Sequence, residues 1–328
     1  MTGYQPVYRS RTYDDVISTG AVILQELEAL LEKDVIDLKA LRKSCFMSGC
    51  PHEKSIRSRC WKIFLNYLPL ERKKWKTELQ KQRNLYKQYL QEMIVLPGKK
   101  MKSKELSSGE LCDHPLNPNP DSEWSETFRD NEMLVQIDKD CRKQKLTSFE
   151  ISQGMNEILG PIYYTLASDS DQDCREFAEA DSFFLFTCLM GETRDFFIKT
   201  LDDSACGIVS QMAKLTKLLE KMDKPLWQRI ADQGIKPQFY AFRWITLLLS
   251  QEFHLPDVLR IWDSLFSDAN RFDFLIFLCC AMLMSVRTQV LNNDFPNNMK
   301  LLQRIESSID LQRVLSKARE LSQLASIR

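Results

Sequence analysis

The run from Phe274 to Val286 is apolar almost throughout, and no other segment constrains the fold as much. A helix that is apolar on every side has to be surrounded, by lipid or by other helices. At 13 residues the run is well short of the roughly 20 that a membrane span needs. It therefore reads as a core helix, and the rest of the chain must supply amphipathic partners to cover it. A second stretch, Phe239 to Phe253, is mostly apolar but carries Arg243 and Gln251; it too reads as a core helix.

Such partners are plentiful. Residues 21–43 set Ile23, Leu27, Leu30, Leu31, Ile36, Leu38 and Leu41 among charges, the pattern of one amphipathic helix or of two broken near Asp34. Gly49-Cys50-Pro51 punctuates the chain, and a buried helix is expected from about Ser55 through Leu68, ended by Pro69. A long helix over 71–94 follows. Pro97-Gly98, a Lys-rich run and the prolines 115, 118 and 120 make 97–122 a loop. Helical signal resumes from Trp124 through Arg142, then near Gly154, across 176–199 and 206–223, and in a closing amphipathic helix at 297–322. No segment asks to be a strand, and the fold class is all-α. With 10 Gly and 12 Pro in 328 residues, a turn-dense β architecture is disfavoured.

Composition narrows the function. Lys plus Arg and Asp plus Glu both total 45, so the basic surplus that nucleic-acid binding rewards is missing and no nucleic-acid partner is expected. The first residues hold no apolar stretch of the signal-peptide kind, and the cysteines are scattered, three of them inside apolar runs. These features point to a cytoplasmic protein with reduced thiols, at most peripheral to endomembranes. No phosphate-binding loop, no H-E-x-x-H and no nucleophile elbow occurs. Cys50, His52 and Cys60 come nearest to a zinc cluster, but their spacing is unlike paired ligands and a fourth is not evident. No cofactor or metal is expected.

Short words in a fixed order carry the functional signal. Arg57-x-x-x-Trp61 follows Gly49-x-Pro51. Ile137-x-x-Asp140 is followed by Arg142 and Lys143. Gln153-Gly154-Met155-Asn156 opens a helix, and Arg243-Trp244 and Ile261-Trp262-Asp263-Ser264-Leu265-Phe266 close the series. Together these words resemble the TBC domain, the all-helical module of Rab GTPase-activating proteins, over about residues 45–290. The division that follows is an N-terminal helical extension at 1–44, the TBC domain at 45–290 with 97–122 as an internal loop, and a C-terminal helix at 291–328.

The resemblance implies a partner, a Rab-family small GTPase in its GTP-bound form, and an activity exerted on that partner's chemistry in vesicle trafficking rather than an enzyme activity of this chain. Family members are understood to supply an arginine from the word I-x-x-D-x-x-R and a glutamine from Y-x-Q-G. Here Gln153 matches the glutamine and Gly154 allows close backbone approach. Arg142 or Lys143 would be the cationic finger, with Asp140 holding it, and Arg57 and Asn156 are further binding candidates. Arg57 has a structural reading as well, an ion pair locking two helices. Trp61, Trp244 and Trp262 read as core anchors. Arg243, inside an apolar run, needs a partner, and Asp263 is the expected one.

Two departures from the family pattern matter. Lys143 stands where the pattern has arginine, Arg142 comes one residue early, and Ile151 replaces the tyrosine. A guanidinium presents a planar fork to phosphate oxygens, an ammonium only a point charge. The stretch between Arg142 and Gln153 is also shorter than the family's and lacks a core helix, as in a splice variant or a gene model missing an exon. Each Leu or Ile lost with such a helix forgoes about 1.5–3 kcal/mol of burial. The alternative to an activator is therefore a catalytically impaired relative that binds a GTPase or an adaptor as a helical scaffold.

Overall fold

The structure, a computed structural model, describes residues 13–93, 155–197 and 207–326. The chain divides into two compact units, residues 1–79 with 156–328, and residues 80–155. Of the second unit the described residues are 80–93 and Met155.

The first unit is built from helices, with one isolated antiparallel bridge, Val35 to Glu71, among the described residues. Helix α1 spans Tyr13–Leu31 and α2 spans Leu38–Ser48. The break between them includes Asp34, and α2 restarts at Asp37, whose carboxylate caps the Ala40 N–H at 3.0 Å. Helix α3 (Ile56–Phe64) is buried on most sides, and α4 (Trp75–Met93) runs on into the second unit. Then come α5 (Met155–Ala167), the short α6 (Gln172–Glu176) and α7 (Ala178–Phe197). Helices α8 (Ile208–Met222) and α9 (Lys224–Asp232) meet at Asp223, which ends one and caps the other. The chain continues through α10 (Ala241–Thr246), α11 (Leu255–Ser267) and α12 (Arg271–Ser285). It closes with α13 (Arg287–Asn292), α14 (Phe295–Gln303) and α15 (Leu311–Ser326).

Helix α12 contains the apolar run and sits where the sequence demands. Phe274, Leu275, Leu278, Cys279, Met282 and Leu283 are all within 1% of complete burial, and α8, α10, α11 and α15 pack around the helix. No helix among the described residues is long and apolar enough to cross a membrane. Trp61, Trp244 and Trp262 anchor the core as expected, each no more than 1% exposed.

The first helix begins at Tyr13, eight residues before the expected start, and three expected helices end or break early, each for a local reason. The helix expected to reach Leu68 ends at Phe64. Asn66 turns left-handed at φ 59°, so the Tyr67 and Asn66 amides bond back to the Lys62 and Ile63 carbonyls, a Schellman closure that stops the helix before Pro69 can. The stretch 239–253 is not one helix either. Leu248 and Leu249 adopt φ of 51° and 65°, and their amides return to the Ile245 and Trp244 carbonyls. A left-handed non-glycine residue costs about 1–2 kcal/mol; burying both leucines offsets it, and Trp262 Nε1 donates to the Leu248 carbonyl at 2.9 Å. The closing helix is split as well: α14 ends at Gln303, and a 3₁₀ turn at Ile305–Ser308 precedes α15.

Candidate functional site

Several residues singled out from the sequence lie outside the described residues: Asp140, Arg142, Lys143, Gln153 and Gly154. The 97–122 loop and the helix expected from Trp124 do so too. What is described is the helix that follows the Gln153-Gly154 word in the sequence. The word directly precedes α5 in the chain, and α5 has one buried face. Ile158, Ile162, Thr165 and Leu166 line its buried face, at the spacing of one helical stripe. Asn156, by contrast, is exposed in the first turn, as are Tyr163 and Tyr164 farther along.

The far end of α5 is tied to the segment that carries the Gly49-x-Pro51 word. His52 Nε2 meets the Ser168 carbonyl at 2.8 Å, and the Ser55 hydroxyl bonds the buried Asp169 carboxylate. That carboxylate also accepts the Asp171 amide at 2.8 Å, while Arg175 Nη1 donates to the Asp169 carbonyl at 2.6 Å. These bonds fix where α5 ends. Its length, about 1.5 Å per residue, then fixes where it begins.

Beneath this joint is a buried carboxylate that links distant words of the sequence. Asp263, on α11, is completely buried. It accepts Arg57 Nε at 3.1 Å and Arg57 Nη2 at 3.2 Å, Trp61 Nε1 at 2.8 Å, and the Cys50 amide at 2.8 Å. A forked guanidinium on one carboxylate is among the stronger polar contacts a protein makes. Both Arg57 and Trp61 lie on α3 four residues apart, so both donors share one face and need one acceptor. That spacing was the available signal for an acid here. The sequence reading assigned Asp263 to Arg243 instead, and this is overturned. Arg243 bonds Glu252 at 2.6 and 3.0 Å and the Gln303 carbonyl at 2.9 Å, where it secures the tight turn after α10.

A second buried pair joins α3 to α7. Lys62 Nζ lies 2.6 Å from Asp181, which also accepts the Tyr67 hydroxyl at 2.8 Å. Gly49 is required where it stands. Its φ is +79°, and a Cβ there would meet Arg260 Cδ at 2.8 Å and Asp263 Oδ2 at 3.2 Å.

The grouping of Cys50, His52 and Cys60, set aside above as a zinc cluster, also changes. His52 is engaged with Ser168, and the sulfurs that gather are those of Cys45, Cys50 and Cys60. Cys45 was missed because it belongs to a different helix, and no local spacing reports a contact across elements.

Comparison with known proteins agrees with this architecture. The Rab-GTPase-TBC domain family model matches residues 147–291. The chain is similar to TBC1 domain family member 13 of Homo sapiens, at 42% identity over 91% of this chain and 97% of that protein. It is 41% identical to the Mus musculus member 13 over the same shares. A TBC domain-containing protein of Schizosaccharomyces pombe is 29% identical over 90% of this chain and 72% of its own length. Among solved structures, the Ypt/Rab-GAP domain of Gyp1p superposes with a TM-score of 0.68 at 22% identity, covering 93% of this chain and 99% of that one; that likeness is of fold alone. The human match runs over 390 aligned positions, about 90 more than 91% of 328 residues can fill, so the relative carries residues that this chain lacks.

Proposed function

The chain belongs to the Rab-GTPase-TBC family, and on that premise we propose that it acts on a GTP-loaded Rab-family small GTPase to stimulate hydrolysis. Such a GTPase hydrolyses slowly by itself because little neutralises the charge on the transferring phosphoryl group or fixes the attacking water. A glutamine that orients the water and a cation that meets the phosphate, both delivered in trans, are worth about 10³–10⁵ in rate. Gln153 takes the first role. Arg142 takes the second with Asp140 as its support, because guanidinium forks onto phosphate oxygens and ammonium cannot.

The observation that carries this reading is the 42% identity over 97% of TBC1 domain family member 13, together with the retained Gln153-Gly154 word directly before α5. The α5 amino end adds a favourable field. First-turn amides have no partner within the helix and carry partial positive charge, which suits an approaching phosphate. The partner brings nucleotide and Mg²⁺, so this chain needs no cofactor of its own. The setting is the cytoplasmic face of a trafficking membrane.

A second reading has its own support. Lys143 occupies the arginine position of the family word, and about 90 aligned positions of the human relative have no counterpart here. On that reading the chain binds a GTPase or adaptor as a scaffold. Single-turnover GTP hydrolysis across a Rab panel separates the two. Stimulation by the wild-type chain that drops by about 100-fold or more in Gln153→Ala and in Arg142→Ala, but not in Lys143→Ala, supports the activator with Arg142 as the finger. Binding with no stimulation from any Rab supports the scaffold.

A further inference from the structure

Cys45, Cys50 and Cys60 have no part in the proposed reaction, yet their sulfurs converge. All lie within 4.8 Å of one another, and the Cys45 and Cys60 sulfurs are 3.7 Å apart. Each comes from a different place: the last turn of α2, the turn after it, and α3. All three are at least 97% buried. Buried thiols can pack as small hydrophobes, but packing alone does not require them to share a centre.

Two observations point to one. A spot equidistant from three sulfurs 3.7–4.8 Å apart lies about 2.1–2.8 Å from each, a range that brackets the zinc–thiolate bond of about 2.3 Å. The second is charge. Asp263 accepts the Cys50 amide at 2.8 Å and pairs with Arg57. Arg260 also reaches over Gly49, next to Cys50, but it donates to the Ser264 hydroxyl at 2.7 Å and the Met47 carbonyl at 2.9 Å. No carboxylate within the described residues forms a salt bridge with it. Arg319 shares the Met47 carbonyl with Arg260, and Glu53 lies near Arg57, so the surroundings set three guanidiniums against two carboxylates. Burial and Asp263 raise the Cys50 and Cys60 thiols, so a bound cation is what would bring them to thiolate.

We propose that Cys45, Cys50 and Cys60 form a three-sulfur binding site for a soft d¹⁰ cation, Zn²⁺ or Cu⁺. Thiolate ligands select this class of metal. Zn²⁺ displaces three thiol protons to give a centre of charge −1; Cu⁺ displaces two and keeps one neutral thiol ligand, for the same charge. The protons leave to solvent. No fourth cysteine or histidine joins the cluster among the described residues, which suits three-coordinate Cu⁺ directly, while Zn²⁺ would take a further small ligand. Because the sulfurs are buried, the ion enters as the chain folds and clamps α2 to α3.

The test uses the full chain expressed in medium supplemented with zinc or with copper, purified reduced, and freed of loose ions by a weak chelator. About one ion per chain in one of the two arms is expected, with X-ray absorption showing three sulfurs at about 2.3 Å. Cys50→Ala and Cys60→Ala should lower affinity by more than about 100-fold, beyond the cost of losing an outer partner, while Cys279→Ala should not. The arm that loads identifies the metal. Substoichiometric metal in both arms overturns the proposal, as does a nitrogen- or oxygen-dominated shell, or undiminished binding in Cys50→Ala. The absorption spectrum of the wild-type chain decides the matter if the variants do not fold.

Discussion

Asp263 ties three distant stretches of the chain together through one side chain. It is a carboxylate at zero exposure, tolerated because four donors from two other segments converge on it. Removing its charge leaves Arg57 half-paired in a largely buried place, and breaking such a pair costs about 3–5 kcal/mol. Asp263→Asn should therefore lower unfolding free energy by that order in a denaturant melt, whereas Lys73→Ala, at an exposed ion pair with Asp34, should change it by under about 1 kcal/mol. A melt of Asp263→Asn matching wild type would mean that the lock is not structural. Gly49→Ala should also destabilise, by more than about 1 kcal/mol, since it meets both a left-handed φ and the Arg260 side chain. At this scale the sequence was half legible. Arg57 and Trp61 announced a shared acceptor by their spacing, but which of 45 acids would answer depended on how helices far apart in the chain pack.

Helices were easiest to read where periodicity was long and hardest where the chain stops. The apolar run of α12 and the stripes of α1 and α8 follow directly from their 3.6-residue pattern. The ends at Phe64 and Thr246 do not, because each is made by a non-glycine residue in left-handed conformation, Asn66 in one case and Leu248 with Leu249 in the other. Propensity gives little warning of a leucine there; tertiary burial is what sustains it. Asn66 is exposed, so its contribution is conformational, and Asn66→Ala should cost about 1 kcal/mol while Asn66→Gly should be neutral or slightly stabilising. Equal melting of the Ala and Gly variants would remove the left-handed cap from the account. The joint between the 49–55 segment and the end of α5 was invisible in sequence for the same reason that Cys45 was: it is a contact across elements.

For the whole molecule, the buried thiols predict a pH response. Burial pushes Cys174 up to about 11 and Cys280 up to about 12, and raises Cys279 as well. An unfolded chain ionises its thiols near 8.5. Above that pH the unfolded state sheds protons that the folded state keeps, so the thiol contribution to stability is full below about pH 8.5 and lost as pH climbs toward the folded values. Melting temperature should fall between pH 8 and about pH 10, and less steeply in Cys174→Ala/Cys280→Ala; an unchanged slope in that variant would contradict it. The all-α class and the family were legible at this scale, because ordered words survive where individual contacts cannot be seen. Whether Gln153 acts in trans is read from binding to a Rab loaded with GDP and aluminium fluoride, which imitates the transferring phosphoryl group. Transition-state mimics bind at least about 100-fold more tightly than ground states to a true activator. That preference is expected over the same Rab loaded with a non-hydrolysable GTP analogue, and is lost in Gln153→Ala. Equal affinity for both forms, unaffected by the substitution, would contradict it.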